Sequence, residues 1–294
     1  MKRTAFTLVE LLVVITIIGI LAGLIAAAAI PARRAANRAA ITMEINQLDM
    51  ACKAFKEKLG DYPPDFADVD RVKAKADVVR FIARAFPRCT RLPINFQNAA
   101  TDLPAEYNPG TALAFWLGGD RDADGNFIGF SADPSNPFDV DAVGAPLTTK
   151  CPSRIQPFYD FNRERMVAWT WQGCTPVPCR SYWPQGTTPE STTQGAGFFY
   201  FRNDNGNYAT KGWLNVNRGA IRDGRVTGTV WLNPQSFQIR CCGLDGRWWS
   251  DAIAATGQWP DVFGVVATGA KQNSENFDDQ GNFCTGTLED SFAL

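Results

Sequence analysis

Between Leu11 and Ile30 lie twenty consecutive uncharged residues, directly behind a single carboxylate, Glu10. As a helix rising 1.5 Å per residue, that run is about 30 Å long, the thickness of a bilayer's hydrocarbon core. An ionised Glu in such a helix costs a few kcal/mol, so it calls for a partner. The junction Ala5–Phe6 sits just behind the basic residues Lys2 and Arg3. Cleavage there would make Phe6 the new N-terminus, and its amine could neutralise Glu10 of a neighbouring copy. A conventional secretory signal, ending near Ala26 to Ala29, has an apolar core of only about 7–15 residues and gives Glu10 no purpose. A plain membrane anchor explains the length but not the carboxylate.

Phe6, Thr7, Leu8, Val9, Glu10, Leu11 and Leu12, behind Lys2 and Arg3, resemble the class III leader of type IV pilins and type II secretion pseudopilins. The resemblance covers roughly the first 60 residues. It departs from the family at Ala5, where Gly is usual, and at Pro31, about one helical turn beyond its usual place. It implies that a prepilin peptidase cuts between Ala5 and Phe6 and methylates the Phe6 amine. Assembly then proceeds through helix packing and the Phe6–Glu10 contact. The implied partners are further copies of the chain, that peptidase, an inner-membrane assembly platform and the inner membrane, with the head in the periplasm.

Beyond Pro31 a basic cluster, Arg33, Arg34 and Arg38, forms a polar collar. Then Ile41, Ile45, Leu48, Cys52, Phe55 and Leu59 recur at alternating spacings of four and three, one apolar stripe of a helix. Glu44, Gln47, Asp49, Lys53, Lys56 and Glu57 are expected on the opposite side. The stripe is too short for a coiled coil and is read as a seam against the protein's own head. Gly60-Asp61-Tyr62-Pro63-Pro64 ends the helix, and with Lys58 and Leu59 it resembles the G-x-Y-P segment of secretion pseudopilins. The organisation expected is therefore a leader at 1–5, an assembly helix at 6–30, its amphipathic half at 31–60 and a head at 61–294.

In the head, Phe66, Val69, Val72, Val79, Ile82 and Phe86 predict a helix over 65–86, and Leu113 and Trp116 a short one at 110–117. Strands are expected at 197–202, 226–232, 236–241 and 261–267, with long irregular stretches at 134–157 and 172–196. Phe237, Ile239 and Cys241 alternate with Gln238 and Arg240, which predicts a half-buried strand. The fold class that follows is α+β and pilin-like, a long helix packed on an antiparallel sheet.

Eight Cys in an exported head suggest disulfides; Cys174 and Cys179 are close enough in sequence to close a small loop, but eight allow 105 pairings. Cys52, in the helical stripe, reads as a buried thiol. Asp120, Asp122 and Asp124 alternate ahead of Gly125 and Asn126, a D-x-D-x-D-G pattern suited to Ca²⁺. Its twelfth position is Ser131 rather than Glu, with Asp133 as a substitute donor. A solvated Asp/Gly turn is the competing reading.

The formal charge of −1 falls to −3 once Lys2 and Arg3 are removed, so bulk charge implies no nucleic acid. His is absent, which excludes the usual Ser or Cys triads, and no catalysis is expected. Trp171, Trp183, Trp213, Trp248 and Trp249 are more naturally core than a sugar platform. The function expected is a filament subunit of a type II secretion-like system. The alternatives are a type IV pilin for adhesion, motility or DNA uptake, and a membrane-tethered glycan-binding protein.

Overall fold

The computed structural model describes residues 8–68, 70–98, 101–168, 180–184, 197–203, 208, 222–223, 231–241, 243–244, 262–263 and 280–282. Its first element is α1 (Leu8–Leu59), a single helix of 52 residues that runs through Pro31. At 1.5 Å per residue it is about 78 Å long. Gly60 closes it in the left-handed region, at φ 88°, with its N–H bonded to the Lys56 carbonyl. That is the glycine C-terminal cap expected from the sequence.

Burial divides α1 sharply. Residues from Leu8 to Ala36 are exposed, whereas Ile41, Ile45, Leu48, Cys52 and Phe55 are buried against the head. The stripe is thus an intramolecular seam. Phe55 is its deepest point: fully buried, it stacks on Phe81 at 5.8 Å between ring centroids and meets Trp116 and Phe158 edge-on.

The second helix, α2 (Arg71–Ala85), begins six residues later than the expected 65–86. The Asp70 carboxylate accepts from the N–H groups of Val72 and Lys73, which fixes the start there. Phe66, at φ 57°, lies outside the helix and packs on Tyr107, Phe115 and Trp116. The buried face is consequently Ala74, Val78, Phe81 and Ile82, and Val72 is exposed. A single turn, α3 (Ile94–Gln97), leads to α4 (Pro109–Gly118), close to the expected 110–117. Asn108 and Thr111 form a capping box at its start, with Pro109 in the first turn. Apolar on nearly every side, α4 is the central helix of the head.

After α4 come β1 (Asp120–Arg121), β2 (Phe127–Ser131) and β3 (Arg154–Ile155), an antiparallel sheet in that order. Gly129 is required here, because a Cβ would lie 1.8 Å from the Ile155 carbonyl oxygen. A 3-10 turn, Arg163–Arg165, leads into β4 (Met166–Ala168), which pairs antiparallel with β5 (Arg180–Tyr182). The remaining strands are β6 (Phe199–Arg202), β7 (Arg222–Asp223), β8 (Phe237–Cys241), β9 (Val262–Phe263) and β10 (Gln280–Gly281). Strands β10, β8 and β6 form an antiparallel sheet in that order against α1, while β7 and β9 pair in parallel. This is the α+β, pilin-like arrangement expected. Of the expected 226–232 strand, residues 226–230 lie outside the described residues.

The burial of β8 also departs from expectation. Strand β8 is buried at all five positions, not at alternate ones. Phe237, Ile239 and Cys241 join the α1 core, whereas Gln238 and Arg240 lie opposite Phe201 and Phe199, which belong to a second cluster with Trp183 and Tyr208. As the central strand of three, β8 is covered on both faces. Gln238 is accommodated there by donating to the Leu232 carbonyl at 2.8 Å.

Truncating Phe55 to Ala should lower the stability of the head by about 3–5 kcal/mol, as expected for an aromatic cavity in a packed core. Urea unfolding of the full chain in detergent micelles, followed by Trp fluorescence, checks this.

Candidate functional site

The candidate functional element is α1, and its two halves are built differently. Over Leu8–Ile30 every side chain is exposed, including Leu11, Leu12, Ile17, Ile18 and Leu24. This is the one helix among the described residues long and apolar enough to cross a membrane, with a mean hydropathy of 2.9 over its most apolar window. Glu10 is an exposed carboxylate in the helix's first turn. Ala5 and Phe6 lie outside the described residues.

The upper half is fastened to the head by polar as well as apolar contacts. Glu44, expected on the solvent face, is buried. Its carboxylate receives both terminal nitrogens of Arg165, the Tyr182 hydroxyl at 2.7 Å and the Tyr159 hydroxyl at 3.2 Å. Burial and the Glu44 charge push the Tyr159 hydroxyl well above its ordinary pKa, so it stays a donor. Closer to the helix end, Asp49 takes Lys53 at 2.5 Å and the Asn282 amide at 3.1 Å. Thr42 donates to the Gln280 side chain at 2.9 Å. These contacts hold α1 against β10 and against the turn before β4.

Below Ile41, none of the described head elements covers the helix to a comparable extent, and the apolar half is left as a long exposed rod ending at the leader. Residues 1–26 match the prokaryotic N-terminal methylation motif. The chain carries a prepilin-type methylation motif. That match supports the type IV pilin and pseudopilin resemblance read from Phe6 to Leu12, and with it a precursor processed by prepilin peptidase. The motif lies wholly in the leader and the exposed half of α1, so it does not reach the head. No curated protein and no solved structure matches the chain at a significant level.

The methylation motif accounts for the rod; the other expected sites belong to the head. Asp120 pairs with Lys150 at 2.8 Å, and Asp122 accepts from the backbone and side-chain nitrogens of Asn126. Those bonds hold the Asp122 carboxyl below its usual range and close a β-hairpin turn between β1 and β2. Asp133 is spent on Ser135 in a turn of its own. Among the described residues, no three acidic or thiol groups gather as a metal site. Asp120, Asp122, Asp124, Asn126 and Asp133 thus act as turn and ion-pair residues in this conformation, and the geometry lends calcium no support.

Cys174 and Cys179 lie outside the described residues, as do Trp171, Trp213, Trp248 and Trp249. Trp183 is buried, with its indole N–H donated to Ser181, so it offers no sugar platform. Cys52 is a buried thiol, as expected, and burial raises its pKa well above the ordinary value.

Sequence reasoning missed Glu44, Arg165, Tyr159 and Tyr182 as an anchor. A signal for Glu44 was present: with Ile41, Ile45 and Leu48 it completes an i, i+3, i+4, i+7 face, so a carboxylate stood inside the apolar stripe. It missed Arg202 too, which is buried and grips Asp77 with one terminal nitrogen, while its backbone N–H reaches Asp65.

Two outcomes are expected here. Replacing Arg165 with Met leaves Glu44 buried without its counter-charge and should cost about 3–5 kcal/mol, whereas Glu44→Leu combined with Arg165→Met should recover most of it. Thermal unfolding of the three chains in detergent measures this. Because the raised pKa keeps Cys52 protonated at neutral and mildly alkaline pH, it should resist maleimide in the folded chain and react once the chain is unfolded. Peptide mass spectrometry of labelled protein reads the difference.

Proposed function

We propose that the chain is a pseudopilin-like filament subunit of a type II secretion-like system. The observation that carries this reading is the methylation motif on a helix whose lower half is exposed and apolar and whose upper half is locked to a head. In this reading α1 inserts with Lys2 and Arg3 on the cytoplasmic side, where the family's prepilin peptidase acts. Prepilin peptidase cuts between Ala5 and Phe6, leaving a methylated Phe6 amine. The inner-membrane assembly platform then lifts the subunit from the bilayer into a filament, where neighbouring helices replace lipid around Leu8–Ile30. Glu10 is neutralised there by the Phe6 amine of an adjacent copy. The head faces the periplasm and performs no catalysis; its rigid attachment to α1 transmits movement of the filament to cargo.

What supports the secretion branch over a type IV pilus is the resemblance of Gly60-Asp61-Tyr62-Pro63 to the G-x-Y-P segment of secretion pseudopilins. Gly60 ends the helix in the left-handed region, and Tyr62 then packs edge-on against Phe237 at 4.9 Å. This gives the pseudopilin-like Gly-Asp-Tyr-Pro sequence a place in the fold, stitching the helix end to β8.

The mature N-terminus tests the pathway. Mass spectrometry of protein from native envelopes should find a chain starting at N-methyl-Phe6, and an uncut Met1 or a start near Ala28 would remove the filament reading. Glu10→Ala should abolish incorporation into filaments, scored by cross-linking, while leaving membrane insertion and the folded head intact. Deleting the gene should stop export of secreted proteins in the secretion reading; loss of surface fibres with export intact would favour the pilus.

A further inference from the structure

Where α1 leaves its apolar run, it is flanked by a cavity of about 300 Å³ lined by Ile30, Arg33, Arg34, Asn37 and Leu244. The four helical residues are spaced i, i+3, i+4 and i+7, so they form one face of α1. Leu244 comes from the turn that follows β8, where Gly243 is at φ 67°. The cavity therefore lies between the emerging helix and the lower edge of the head, apolar at Ile30 and cationic one turn higher.

Depth decides what chemistry this cavity meets. With Leu11–Ile30 filling a hydrocarbon layer of about 30 Å, Arg33 and Arg34 stand about 4.5 and 6 Å beyond its edge. The headgroup layer of one leaflet is about 5–7 Å deep, so both guanidinium groups fall at the level of the lipid phosphates. Arg33 and Arg34 are exposed, and among the described residues neither they nor Arg38 makes an ion pair. The Arg38 Nε is buried without a hydrogen-bond partner. Three unneutralised arginines within six residues contrast with the net charge of −1 on the whole chain. They contrast also with the head's larger polar groove of about 380 Å³, where Arg84 and Arg202 are already paired with Asp61 and Asp77.

We propose that the Ile30–Asn37 face of α1 and Leu244 form a binding site for the phosphate headgroup of an anionic membrane lipid. Arg33 and Arg34 take the phosphate, a guanidinium fork being suited to its oxygens, and Asn37 donates to the glycerol or headgroup oxygens above it. Ile30 lies along the upper acyl chain, and Leu244 closes the cavity from the head side. The bound lipid would set the height of the head above the bilayer until the helix is withdrawn. The inference rests on the membrane-inserted state of the proposed function.

The test uses the full uncut chain. Native mass spectrometry from detergent compares retention of phosphatidylglycerol and zwitterionic phosphatidylcholine, with liposomes of the same two lipids for protease protection. Phosphatidylglycerol should be retained preferentially. Each arginine near an anionic surface contributes about fivefold, so Arg33→Gln with Arg34→Gln should reduce that retention by more than tenfold. Arg88→Gln, at an exposed position on the head, should leave it unchanged. Equal retention of the two lipids, loss that is no greater in the double variant than in Arg88→Gln, or displacement of the lipid by millimolar inorganic phosphate overturns the site. If protease protection shows that the chain does not insert, the membrane reading falls with it; an inserted chain with no lipid preference sinks the site alone.

Discussion

Ile41, Ile45, Leu48, Cys52 and Phe55 bind the upper half of α1 to the head, and the head's own elements converge on that seam. Phe81 of α2, Trp116 of α4 and Phe158 surround Phe55, while Phe237 and Ile239 of the central strand join the same cluster. Without α1 the sheet β10-β8-β6 would expose one apolar face, and α4 would lose part of its cover. The long helix is both a rod and a wall of the core, to which it contributes Ile41, Ile45, Leu48, Ala51, Cys52 and Phe55. Hydrophobic burial supplies the driving force, and it is indifferent to rotation of the helix about its own axis by small amounts.

Orientation comes from polar contacts set into that seam. Glu44 with Arg165, Tyr159 and Tyr182, then Thr42 with Gln280 and Asp49 with Asn282, mark successive levels along α1. Each has directional geometry that a shift of one residue would break, and a buried carboxylate left without its arginine is costly. In the proposed filament role this rigidity matters. Force applied to the apolar half of a helix moves a head only if the other half cannot slip, and a buried ion pair with two tyrosine donors resists slipping better than grease alone.

Much of this was legible in the chain. The exposed half of α1 follows from twenty uncharged residues, the seam from alternating spacings of four and three, and the helix end from Gly60 and the two prolines after it. Helix α4 was legible from Leu113 and Trp116. The apolar period starts α2 too early, because Phe66 continues it although its backbone is left-handed and Asp70 caps the helix later. The half-buried reading of β8 failed because alternation records side-chain polarity, not what covers the second face. In the Asp120–Asn126 loop the alternating carboxylates are legible in the sequence, whereas the pairing of Asp120 with Lys150 is not. That lysine is thirty positions away in sequence and carries no local signal.

The sequence by itself determined the length of α1, the division between its bare and covered halves, and the leader that precedes it. These properties depend on local periodicity and on the transfer of side chains out of water, both of which are written in consecutive residues. Only the tertiary structure decided that Glu44 is an anchor, that Arg202 holds α2 to β6, and that Leu244 closes a cavity beside Arg33 and Arg34. Tyr159 and Tyr182 lie 115 and 138 residues beyond Glu44. Contacts over such separations are fixed by how the chain closes on itself, and no periodicity within a single element encodes them.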